Sequence, residues 1–173
     1  MPQSDPSLCD ELVFSQVFRD YAETLHNYLY YKTGDTDLAG DLTQEAFIRM
    51  WNHCRDVGYE TVRGYVFRTA NNLLLNHYEH QKVRLKFNHY QQAQNPQEGQ
   101  DPEYLLEESE LRQTLEAAIS ALPEKQRVAF LLSRMDRKTY HEIADMLGIS
   151  RQAVEKRIYN ALNTLRNISP KIR

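Results

Sequence analysis

The chain has 173 residues and a formal net charge of −3, enough length for one ordinary domain or two small ones, each with a modest core. Glycine and proline are scarce at six each, and no alternating Val/Ile/Thr run bounded by turn residues occurs, which favours an all-helical chain over a sheet. No basic stretch leads into an apolar run at the N-terminus and nowhere do about eighteen apolar residues run together, so direct membrane insertion is excluded and a soluble, cytoplasmic protein is expected.

The first predicted helix covers about Glu11 to Lys32, where Phe14, Val17, Phe18, Tyr21, Leu25, Tyr28 and Leu29 recur at three and four. Gly34 and Asp35 break it. A second helix runs from about Asp37 to Cys54 and contains "DLTQEAFIRMW". Leu38, Leu42, Ala46 and Met50 share its inner side, while Ile48 projects among Asp41, Gln44 and Glu45 on a face that ought to be wet. After the turn "RDVGYET", a third helix over about Val62 to Phe87 faces the others with Tyr65, Val66, Thr69, Ala70, Leu73 and Leu74.

Residues 89–103, "HYQQAQNPQEGQDPE", are polar, rich in Gln and punctuated by Pro96, Gly99 and Pro102. Such a composition buries too little to offset ordering entropy, so a flexible linker is predicted over 89–105. About fifteen coil residues reach roughly 20 Å on average and about 50 Å when extended. The next helix carries Leu111, Leu115, Ala118, Ile119 and Leu122 at helical spacing and stops at Pro123.

"TYHEIADMLGISRQAVEKRIYNALNTLR" then has the punctuation of a helix-turn-helix. Ile143, Ala144 and Leu147 line the inner side of a short helix, Gly148 suits a left-handed turn, Ile149 plugs the core and Ser150 is an N-cap. On the last helix Val154, Ile158, Ala161, Leu162 and Leu165 share one face. Gln152, Lys156, Tyr159, Asn160 and Asn163 lie opposite, with Arg151 in the first turn and Glu155 and Arg157 at the flanks. These donors, acceptors and one flat ring suit a major groove, and Lys125, Arg127, Arg134, Arg137 and Lys138 are placed to add phosphate contacts. Charge is segregated to match: residues 63–94 carry +4 and 124–173 carry +6, against −7 over 1–62 and −6 over 95–123. Local field, not total charge, governs attraction to phosphate.

Other chemistry finds little support. Cys9 and Cys54 do not make a disulfide framework and fit a reducing compartment. His53 beside Cys54 and the pair His77 and His80 lack further ligands at metal spacing, so no metal and no cofactor is expected. There is no Ser/His/Asp or Cys/His constellation and no phosphate loop, and Glu107 and Glu108 belong to an acidic, solvated run, so no catalytic residue is expected. The rival to be weighed is a freestanding helix-turn-helix regulator, which predicts two-fold half-sites.

Taken together, "DLTQEAFIRMW", "YVFRTANNLLLNHY", "LPEKQRVAFLL" and "EIADMLGISRQAVEKRIYNAL" resemble bacterial sigma-70 family factors of the extracytoplasmic-function (ECF) group. The resemblance implies an all-α fold of two small helical domains joined by the linker, with region 2 over 11–88 and region 4 over 106–170, and no counterpart of regions 1.1 and 3. It implies promoter-specific transcription initiation. Asp41, Gln44, Glu45 and Ile48 would then dock on the clamp helices of core RNA polymerase, whose flap is a further expected contact. Tyr59, Arg63, Arg68, Asn71, Asn72, Lys82 and Arg84 would open and read single-stranded minus-ten DNA, with Lys86 as further charge and Tyr65 and Phe67 as further rings, for which a place in the core is an equal alternative. Arg151, Gln152, Glu155, Lys156, Tyr159 and Asn160 would read the minus-thirty-five duplex. An anti-sigma factor, often membrane-anchored in this family, is implied as partner. Asn76 stands where relatives usually have Asp and Glu79 where a basic residue is common, departures that imply a weaker or differently placed grip on minus-ten DNA, and Ala153 in place of Thr is a mild change.

Overall fold

A computed structural model of the chain describes residues 6–87 and 106–168, with side chains over 6–80 and 113–167. The predicted linker, with the side chains of Lys82, Arg84 and Lys86, lies outside the described residues. Seven α-helices and one 3₁₀ turn make up what is described: α1 (Glu11–Thr33), α2 (Thr36–Asn52), the turn Tyr59–Thr61, α3 (Val62–Phe87), α4 (Leu106–Ser120), α5 (Glu124–Arg134), α6 (Tyr140–Leu147) and α7 (Arg151–Ile168).

Local chemistry sets the boundaries. Asp10 accepts from the backbone N–H groups of Leu12 and Val13 at the start of α1, and Gly34 ends that helix at φ 71°, a left-handed conformation a side chain resists. Asp35 caps α2 at once by accepting from Leu38 N–H, so α1 and α2 fold back as an antiparallel hairpin. In α6, Thr139 and Glu142 form a reciprocal capping box, Gly148 closes the helix at φ 63°, and Ser150 Oγ accepts from Ala153 N–H at 3.2 Å to open α7.

The hairpin explains a bond that the sequence did not reveal. It returns the end of α2 to the start of α1, and there Cys9 and Cys54, 45 residues apart, are joined as a disulfide with Cα atoms 5.1 Å apart. The expectation that these two cysteines make no disulfide and point to a reducing compartment is thereby corrected, because pairing depends on proximity in space and not on cysteine number. Leu8 is buried next to this bond at 1 % exposure, and Phe14 packs edge-on against Trp51 at 4.9 Å.

The N-terminal bundle (α1–α3) and the C-terminal bundle (α4–α7) share one core. Leu25, Leu29, Phe67 and Leu74 belong to the same buried cluster as Val128, Leu132, Ile143, Met146 and Ile158. The C-terminal bundle seats on α1 through α5 and on α3 through α6, while α2 packs against α1 and α3. A smaller cluster of Ala118, Leu122, Ala161 and Leu165 ties α4 to α7. Leu115, placed on the inner side of its helix by spacing, is 37 % exposed, since α4 is covered only toward its C-terminal end.

Candidate nucleic-acid and polymerase interface

On α2 the inner positions Leu42, Ala46 and Met50 are buried, and Asp41, Gln44 and Ile48 are exposed. Ile48 is 54 % exposed, so it stands in solvent among the two acids and the amide. Glu45 is half-buried and pairs along the helix with Arg49 at 2.8 Å. A contact of this type at a helix surface contributes only a few tenths of a kcal/mol, about 0.3–0.5, so Glu45 remains available to a stronger partner.

The set placed on single-stranded DNA divides. Tyr59, Arg68 and Asn72 are exposed. Arg63 donates to Asp145 Oδ2 of α6 at 2.7 Å, and Asn71 accepts at Oδ1 from Tyr28 Oη at 3.2 Å and Lys32 Nζ at 2.6 Å. Burial, with the Glu124 carboxylate adding to it, pushes the Tyr28 hydroxyl above the ordinary tyrosine range, which keeps it a neutral donor. Phe67, considered as a ring for base stacking, is a core residue at 1 % exposure whose ring meets that of Tyr28 at 5.4 Å. Of the two readings open to Phe67, base stacking and core, burial decides for the core, in keeping with its spacing from Ala70 and Leu74. Tyr65 is half-buried against the core.

The face of α7 emerges as its periodicity predicts. Val154, Ile158, Ala161 and Leu165 are buried, and Arg151, Gln152, Glu155, Lys156 and Tyr159 are exposed, Tyr159 at 61 %. Asn160 is half-buried and lines a shallow depression with Pro123, Lys156 and Arg157. Arg127 is withdrawn from the group of phosphate contacts: its Nε donates to Tyr31 O at 3.0 Å, and Nη1 to Ser120 O at 3.1 Å and Leu122 O at 3.3 Å. It thus satisfies carbonyls at the ends of α1 and α4, where a cation also meets the negative end of each helix dipole. Lys125, Arg134 and Arg137 stay exposed.

Among the described residues no group of three or more His, Cys, Asp or Glu side chains gathers at metal-binding distance, and no helix is long and apolar enough to cross a membrane.

Comparison with known proteins fits this division. Residues 17–84 match the family model for sigma-70 region 2, and residues 112–165 match that for sigma-70 region 4, together most of the chain. The ECF RNA polymerase sigma factor SigE of Mycolicibacterium smegmatis is 30 % identical over 159 residues, which are 91 % of this chain and 60 % of that protein. The RNA polymerase sigma factor YlaC of Bacillus subtilis is 24 % identical over 148 residues, 84 % of this chain and 85 % of that one. The chain spans 60 % of the length of SigE, and the same share of BldN of Streptomyces coelicolor. The fold is similar to the sigma factor RpoE in complex with the anti-sigma factor NepR from Bartonella quintana (TM-score 0.63, 17 % identity, 92 % of this chain and 98 % of that one). It is also similar to CnrH in complex with the cytosolic domain of CnrY (TM-score 0.60, 19 % identity, 95 % and 92 %). With two consecutive family regions in order, and seven α-helices among the described residues, the chain belongs to the sigma-70 family, in its ECF group.

Proposed function

We propose that this protein is a non-catalytic, cytoplasmic initiation factor that binds core RNA polymerase and directs it to promoters. Its division of labour is region 2 over 11–88 and region 4 over 106–170, with 89–105 as linker. Asp41, Gln44, Glu45 and Ile48 dock on the clamp helices. Tyr59, Arg63, Arg68, Asn71, Asn72, Lys82 and Arg84 engage minus-ten DNA, and Arg151, Gln152, Glu155, Lys156, Tyr159 and Asn160 engage the minus-thirty-five duplex. The observation that carries the reading is Ile48, 54 % exposed with acids and an amide around it on α2. An apolar centre with a polar rim is the anatomy of a surface that a partner covers.

Held together on polymerase, two weak DNA contacts act as one bivalent site, so that promoter affinity arises in the assembly and not in the free chain. An anti-sigma factor covering the polymerase-binding faces is the regulatory partner this reading includes. Of the solved structures of similar fold named above, one is of a sigma factor in complex with an anti-sigma factor, and the other is of CnrH in complex with the cytosolic domain of CnrY.

The test is to mix the purified chain with core polymerase and a library of promoter fragments and to score run-off transcripts. Specific transcripts that require the chain are expected, and their sequences would supply the promoter elements. Tight, two-fold symmetric DNA binding without polymerase would favour a freestanding regulator instead.

A further inference from the structure

The disulfide stands at the open end of the hairpin that carries Ile48. Cys54 follows the last residue of α2, Asn52, by two positions, and Cys9 directly precedes Asp10, the cap of α1, so one bond ties the end of α2 to the start of α1. Ile48, 54 % exposed, and Trp51, 39 % exposed, lie within two turns of that tie. Beyond the crosslink, the end of α2 is held by His53 N–H donating to Arg49 O at 3.1 Å and Cys54 N–H donating to Trp51 O at 3.2 Å. A helix end of this kind frays at little cost, because its last carbonyls have no partner further along the helix. Neither cysteine is shut inside the core: Cys9 and Cys54 are each half-buried, so a small reagent can reach the bond. Leu8, buried beside Cys9 as part of the shared core, keeps Cys9 near Cys54 when the bond is open.

We propose that Cys9 and Cys54 are a reversible redox site, a dithiol that a low-molecular-weight disulfide oxidises, and that the crosslinked form holds the end of α2 ready for polymerase. The proposal rests on the functional reading above, since core polymerase works among thiol pools that keep most cysteines reduced, where a disulfide is usually transient and redox-sensing. One protein thiolate attacks the reagent R–S–S–R, breaks its S–S bond, expels the first RS⁻ and forms a mixed disulfide. The second thiolate attacks the protein sulfur of that mixed disulfide, expels the second RS⁻ and closes Cys9–Cys54. The two protons of the protein thiols end on the two RS⁻ groups, so the protein gives up two electrons and two protons and the reagent becomes two RSH; excess RSH runs the same steps backward. The hairpin keeps its packing without the bond, because Phe14 meets Trp51 at 4.9 Å, Phe18 meets Phe47 at 4.8 Å, and Leu25, Leu29 and Met50 are fully buried. Reduction therefore loosens one end of a folded bundle. Groups ordered in advance do not have to be ordered by the partner, so the oxidised form binds polymerase about two- to tenfold tighter, the effect of fixing one large side chain.

The experiment equilibrates the full-length wild type with oxidised or with reduced glutathione as the probe, counts free thiols by alkylation and mass spectrometry, and titrates each form with core polymerase. No free thiol is expected in the first buffer and two in the second, with full return when the buffers are exchanged. The oxidised form should show a dissociation constant about two- to tenfold lower than the reduced form. Cys54→Ser should bind as the reduced wild type does in either buffer, and Cys9→Ser serves for the same comparison if Cys54→Ser loses its helical signal. A bond that persists in excess reduced glutathione would overturn the proposal by marking a purely structural crosslink, and equal polymerase affinity of the two wild-type forms would overturn it as well. Failure of both forms to bind polymerase would overturn the functional reading, and the docking half of the proposal with it, while the thiol count would still decide whether the pair opens and closes.

Discussion

The two bundles present the residues proposed to meet DNA differently: those of α7 are nearly all exposed, whereas on α3 Arg68 and Asn72 are exposed and Arg63 and Asn71 are engaged. On α7 of the C-terminal bundle, Arg151, Gln152, Glu155, Lys156 and Tyr159 stand free in solvent. On α3 of the N-terminal bundle, Arg63 is paired with Asp145, Asn71 is held by Tyr28 and Lys32, and Phe67 is core. The difference fits the ligands proposed for the two surfaces. A duplex is read from outside by a helix whose opposite face is already buried, so such a helix can wait fully formed. Unstacked bases need a pocket and amide edges, which several side chains must form together.

Perturbing each bundle separately sharpens the contrast. The largest effect is expected from reversing Asp41 and Glu45 together to Lys on α2: promoter-dependent transcription should be lost with the circular dichroism spectrum unchanged, and a folded variant that still initiates would remove the docking role. Next, Phe67→Ala should destabilise by about 3–5 kcal/mol in urea unfolding, because the ring is buried at the seam of both bundles. A residue devoted to base stacking would instead cost DNA binding with little change in the unfolding midpoint.

Reducing Cys9–Cys54 releases a 45-residue loop, for which chain entropy predicts a loss of about 4 kcal/mol, with 2–4 typical of measured disulfides. Urea midpoints with and without reductant give the value, and the loss should appear in the N-terminal bundle. Lys156→Ala should weaken minus-thirty-five duplex binding by about 1–3 kcal/mol if it meets a base, or lower the salt slope by about one if it meets phosphate. Stability should not change, since Lys156 is exposed.

The smallest effect concerns the capping box. Hydrogen bonds from the Thr139 backbone N–H and hydroxyl, each 2.8 Å, hold the Glu142 carboxyl below the ordinary glutamate pKa. A depressed folded pKa stabilises above the unfolded value and loses that contribution as pH falls through the folded one. Glu142→Gln should flatten this acid limb of the stability curve, and Thr139→Ala should cost about 1 kcal/mol at neutral pH.

Much of this molecule is written locally. Asp10, Gly34, Asp35, Gly148 and Ser150 bound their helices where residue chemistry places them, and the stripe Val154, Ile158, Ala161 and Leu165 is buried as its spacing requires. Ile48 was legible as an anomaly for the same reason, since helix period alone puts it on the wet side. What was not legible depends on neighbours distant in the chain. Cys9 meets Cys54 only because the hairpin closes, Arg127 is consumed by two helix ends, and Asn71 is engaged by α1. Met146, three residues after Ile143 on α6, is buried where the bundles meet, and its spacing does not name the element that buries it. Periodicity identifies the buried side of a helix but not which element buries it.

The most direct measurement is equilibrium binding of the chain to core RNA polymerase in the absence of DNA, with Ile48→Asp beside the wild type. Saturable one-to-one binding that Ile48→Asp weakens by at least about tenfold, roughly 1.4 kcal/mol, is the expected result. Binding of equal strength by both proteins, or by neither, would contradict the account.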